Sequence, residues 1–148
     1  NNIKRYKENG IPLEEYEDGI NSYEDALSNI KAMKEYAKNE MENNENSSSN
    51  DGFLEVIINY NRSIEYIVKK IRFFSIEEVY MLVNEIETEF KQERELLGDL
   101  LGKIIIAAKR TANGENLKKM INMKNSLRSN VNVRSILFNF FNTLQEIV

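Results

Sequence analysis

The chain has 148 residues, 41% hydrophobic and 30% charged, with a formal net charge of −4 and no Cys, His or Trp. That length carries one domain with a real core. The missing Cys and His exclude disulfides, thiolate chemistry and any zinc site built on those ligands. A single Pro, with most glycines between or before helical patterns, argues for helices and against a sandwich or barrel.

The chain opens on Asn1, not Met, which reads as an internal segment of a longer polypeptide, or a processed one: one helical segment over 1–148, with 1–11 a frayed connection. Pro12 suits the first turn of a short helix, with Glu14 and Glu15 near its positive end and Gly19 ending or kinking it. Asn21 or Ser22 can cap the next helix, which carries Tyr23, Ala26, Leu27, Ile30, Met33, Ala37 and Met41 on one stripe. Residues 43–51 form an Asn/Ser-rich low-complexity insert, expected as a mobile loop because it cannot bury apolar surface. Asn is the commonest residue, a composition similar in style to proteins of very AT-rich genomes. Asn50 or Asp51 caps a third helix with Leu54, Ile57, Ile64, Ile67, Val68 and Ile71 facing inward.

The strongest start signal follows. Ser75-Ile76-Glu77-Glu78 matches a capping box, with Phe74 and Val79 placed as a hydrophobic staple. From there Leu82, Val83, Ile86, Phe90, Leu97, Leu101, Ile104 and Ala108 fall within an arc of roughly 100°. This spacing predicts one long central helix over 76–110, closed by Asn113-Gly114 as a left-handed cap, with Lys109 and Arg110 near its carboxyl end. A continuous helix of that length is about 52 Å, longer than the diameter of about 38 Å of a compact chain this size. An elongated shape is therefore expected, or else a break near Gly98. Glu93 and Arg94 interrupt the stripe, and Gly98 and Gly102 mark either a close approach by another helix or a hinge. A shorter helix carries Leu117, Met120, Ile121 and Leu127. Asn132 caps the last, whose apolar face, counting Phe138, covers roughly 200°. Such breadth suits either a central core helix or a surface shared with a partner. Val133, Leu137, Phe138, Phe141, Leu144 and Val148 are the candidate interface residues.

The carboxylates do not assemble a catalytic or metal site in this pattern. Glu85, Glu87 and Glu89 alternate, so a helix spreads them apart and leaves a solvated acidic face. The Glu-x-x-His pattern of di-iron bundles is impossible without His, and no phosphate-binding glycine motif is present. No cofactor, metal or catalytic residue is expected, and no segment is apolar enough to span a membrane.

Charge segregates along the chain. Residues 103–134 hold Lys103, Lys109, Arg110, Lys118, Lys119, Lys124, Arg128 and Arg134 against Glu115 alone, whereas residues 1–102 carry a net −10. The expected architecture is all-α, about five amphipathic helices with one long central helix, elongated or loosely bundled. The expected function is non-enzymatic: a structural or adaptor segment that self-assembles or docks within a larger protein complex. A nucleic-acid-binding module using the basic stretch 103–134 is the alternative, although no aromatics interleave with those cations as in single-strand binders. A helical adhesin or receptor-binding domain of a parasite surface protein also fits the composition.

Overall fold

The computed structural model describes residues 19–42, 50–129 and 132–147. Six α-helices make up the described chain: α1 (Tyr23–Glu42), α2 (Asn50–Lys70), α3 (Ile76–Phe90), α4 (Arg94–Ala108), α5 (Gly114–Asn125) and α6 (Val133–Ile147). Among the described residues there is no strand, and no helix is long and apolar enough to cross a membrane. The expected frayed connection over 1–11 and the short helix after Pro12 lie outside the described residues. So does most of the insert; its last two residues, Asn50 and Asp51, already belong to α2.

Local signals set most helix starts. Gly19 takes φ +72°, a left-handed turn suited to Gly. Ser22 Oγ then accepts from the Asp25 amide at 3.2 Å, and Asp25 accepts from the Asn21 amide at 3.1 Å. The capping box is complete at α3: Ser75 Oγ accepts from the Glu78 amide at 3.1 Å, and Glu78 Oε1 accepts from the Ser75 amide at 2.8 Å. Asn132 Oδ1 caps α6 by accepting from the Ser135 amide.

The long central helix is two helices. The break falls at Lys91–Glu93, upstream of the glycines, where Glu93 leaves helical geometry (φ −130°, ψ 62°). Arg94 helps fix the corner by donating to the carbonyls of Leu127 (3.2 Å) and Ser129 (2.8 Å). The helix then runs unbroken through Gly98 and Gly102, so neither is a hinge. Asn113-Gly114 is also not a left-handed cap. Asn113 is extended and starts α5, its side chain accepting from the Asn116 amide at 2.8 Å, while α4 ends in a tight turn with Thr111 N–H donating to Ala108 O.

Packing follows from the apolar stripes. α1 and α2 are antiparallel: Asn29 donates to Ser63 Oγ near one end, and Tyr36 stacks on Phe53 (centroids 4.8 Å) toward the other. Ser63, the one fully buried polar residue among the described residues, is satisfied by that bond and by donating to Asn59 O at 2.8 Å. Leu54, expected inward, is exposed instead. α1 lies parallel to α3, with Lys31–Glu85, Lys34–Glu89 and Lys38–Glu93 pairing in step at 3.2, 2.6 and 3.5 Å. These pairs replace part of the expected solvated acidic face. Burial lowers the pKa of Lys34, but hydrogen bonds to Glu89 and Glu35, with their charges, outweigh it and raise the group overall.

α6 is a central helix of the core. It packs on α3, α5 and the turn at Ile71–Phe73. Gln145 clasps the α2–α3 corner by donating to Ile71 O (3.0 Å) and Phe74 O (2.8 Å). Ile136, Leu137, Phe140, Phe141 and Leu144 are all buried, and the Phe140 and Phe141 rings meet edge to face at 5.4 Å. The molecule is a compact helical bundle.

Candidate functional site

The helix that carries Gly98 and Gly102 forms the floor of a groove of about 380 Å³. Ile30, Met33 and Ala37 of α1 line one side, Tyr60 of α2 and Phe90 of α3 are in the wall, and Leu96 and Ile106 continue the apolar lining. Ile106 is 64% exposed. The glycines keep the floor open. A Cβ at Gly98 would meet no described atom within 4 Å, and one at Gly102 would touch only the Lys124 stem, at 3.3 Å. Among the described residues nothing packs closely on Gly98, whereas at Gly102 the Lys124 side chain of α5 makes a close approach.

Gly98 lies inside a helix with open space where a Cβ would sit, which predicts a stability gain on replacement. Gly98→Ala should stabilise by about 0.5–1 kcal/mol through helix propensity. For a domain of this size that corresponds to about 1–4 °C in Tm. A melting curve that falls instead would mean the floor is more crowded than the geometry shows.

The polar groups of the groove are few and distinct in state. Tyr60 is 7% exposed, and no described residue hydrogen-bonds its hydroxyl. Burial, with the Asp99 carboxylate second, pushes its pKa up to about 12, so the phenol is neutral and able to donate at physiological pH. Lys34 is held by Glu89 and Glu35. Lys103 and Lys124, also lining the groove, form no ion pair among the described residues. Across Gly98 and Asp99 lies a second, more polar cavity of about 510 Å³, bordered by Arg94, Glu95, Leu127 and Arg128.

Comparison with protein-family models, with curated proteins and with solved structures finds no match.

The basic stretch resolves into separate groups. Arg134 is claimed inside the molecule: it pairs with Glu87 at 3.1 Å, donates to the Tyr80 hydroxyl at 2.9 Å and to Asn84 Oδ1, and lies over the Tyr80 ring. The hydrogen bond to Glu87 raises its pKa further. Arg110 reaches Glu65 at 3.6 Å. Lys103, Lys109, Lys118, Lys119, Lys124 and Arg128 have no ion pair among the described residues; of these only Lys103, Lys124 and Arg128 border the two cavities. Among the described residues no cluster of acidic side chains could hold a metal ion.

The candidate interface on α6 needs correction. Leu137, Phe141 and Leu144 are fully buried in the chain's own core and cannot meet a partner while α6 is docked. Val133 and Phe138 are half-buried against that core, and Val148 lies outside the described residues. Phe138 meets the Tyr80 ring of α3 at 6.2 Å. The broad stripe is consumed by several neighbouring elements of the same chain.

Exposed apolar surface concentrates one helix away. Among the described residues, four of the eight exposed large hydrophobics fall within 73–81: Phe73, Ile76, Tyr80 and Met81. Ile76 is 76% exposed and Phe73 67%, at the start of α3 where the capping box holds the backbone rigid. Sequence reasoning gave Phe73, Ile76 and Tyr80 no role. The signal was present, since Ile76 and Tyr80 fall off the buried stripe of α3 and Phe73 lies in the turn before it. Tyr60 was also overlooked, although its spacing from Ile57 and Ile64 places it on the inward face of α2.

Proposed function

We propose that this chain is a non-enzymatic helical adaptor segment that assembles with a second copy of itself through the patch of Phe73, Ile76 and Tyr80. The concentration of exposed apolar side chains at the rigid start of α3 carries this reading, because contiguous apolar surface on a soluble fold marks an interaction site. A two-fold contact brings one patch against its own copy and so requires self-complementarity. Charge of both signs is available for it: Arg72 lies over the Phe73 ring at 4.7 Å, and exposed Glu77 directly follows Ile76 in the chain. Phe138 extends the patch from beneath Tyr80.

Ile76 is the residue to change, because it is the most exposed of the group and its loss spares the core. Native mass should rise with concentration toward that of a dimer for the wild type and stay monomeric for Ile76→Asp, with helical content unchanged. A wild-type chain that remains monomeric throughout, or an Ile76→Asp variant that assembles normally, would refute the patch. Phe138→Asp is a poorer probe, since a charge there also disturbs packing against the core. The cations without ion pairs among the described residues favour a second reading, binding to a polyanion such as nucleic acid. That reading requires retention that weakens steeply with salt.

A further inference from the structure

We propose that the groove over Gly98 is a binding site for a small monocarboxylate with an apolar body, independent of the assembly patch on α3. A volume of about 380 Å³ falls in the range of small-molecule sites, which are mostly apolar with a few placed polar groups. The groove has that composition. Ile30, Met33, Ala37, Leu96 and Ile106 offer the body an apolar wall. Tyr60 is only 7% exposed, and its neutral hydroxyl has no acceptor among the described residues. A buried donor left unmet is unfavourable, so an entering oxygen gains more there than at the surface. Tyr60 and Asp99 line the same groove, and the Asp99 charge acts on the phenol.

The cations select the head group and Asp99 limits its charge. Lys103 and Lys124 border the groove without ion pairs among the described residues, so an anionic oxygen entering it meets positive charge. Asp99 stands in the same wall and opposes a second negative charge. A carboxylate fits this balance better than a dianionic phosphate. Gly98 supplies room for the body: a side chain there would project into open space that the ligand would fill.

Decanoate is the probe, titrated into the isotopically labelled full chain below its micelle concentration, with the amides of Ala37, Gly98 and Gly102 as reporters. Decanol and decyl phosphate serve as uncharged and dianionic comparisons. Decanoate should bind saturably at one site and more tightly than either comparison. Tyr60→Phe should keep the fold and weaken binding about two- to tenfold, the range of one hydrogen bond. Gly98→Leu should keep its helical content and abolish binding. The proposal fails if decanoate gives no saturable shift. It also fails if Tyr60→Phe binds as tightly as wild type, if Gly98→Leu leaves the shifts in place, or if decyl phosphate binds as tightly as decanoate. Ile76→Asp should leave decanoate binding unchanged, which keeps failure of this site distinct from failure of the assembly patch.

Discussion

Phe141→Ala should strongly destabilise the chain rather than release a partner. The ring is fully buried, packs edge to face on Phe140, and belongs to a helix that touches α3, α5 and the α2–α3 corner. Truncating a buried Phe removes its transfer energy and leaves a cavity that neighbours fill only partly, at a cost of about 3–5 kcal/mol. Against a total stability of about 5–15 kcal/mol this is a large share. Circular dichroism during urea denaturation should show an earlier midpoint with a similar slope. A variant with wild-type stability but altered native mass would return Phe141 to the surface and place α6 at an interface.

The contrast with Phe138 explains what the sequence could and could not reveal. Both aromatic rings lie on one broad apolar face, and breadth alone separates neither core from interface. The neighbours decide, and they come from residues 71–90 and 114–125, far along the chain. Class and helix starts were legible because caps are local: Ser75 with Glu78, and Asn132 with Ser135, need only a few residues to form. The break at Lys91–Glu93 was harder to place. Phe90 and Leu97 are seven residues apart, which nearly preserves helical phase, so the stripe continues across the interruption. Glu93 and Arg94 on that stripe were the sign of the break, and each has a tertiary partner, Lys38 and the 127–129 turn respectively. Asn113-Gly114 misled for a different reason. Asn serves as an N-cap as readily as Gly serves after a helix, and here the following helix claimed the pair. Neither the groove nor the lysine–glutamate ladder could be read locally, since both require knowing that α1 lies along α3 and beside α4.

Raising the pH should destabilise the chain in a window set largely by Tyr60. Its folded pKa is about 12 against an ordinary value of 10.0, owing first to burial and second to Asp99. Below pH 10 the phenol is neutral in both folded and unfolded chains and contributes no slope. Between about pH 10 and 12 the unfolded chain has released this proton while the folded chain retains it, so unfolding is increasingly favoured. Every pH unit between the two values costs about 1.4 kcal/mol, so the loss across the window is about 2–3 kcal/mol. Lys34 also has a raised pKa, through Glu89 and Glu35 against its burial, and its stabilisation is lost as pH rises through its own elevated value. Tyr60→Phe separates the two. It has no proton to lose and removes a buried hydroxyl without an acceptor, so it should match or exceed wild-type stability near neutral pH. It should also hold that stability further into the alkaline range. Urea denaturation of both proteins at several pH values from about 9 to 12 measures the difference. Parallel losses in the two would show that Tyr60 ionises as easily folded as unfolded, and that its hydroxyl already reaches solvent.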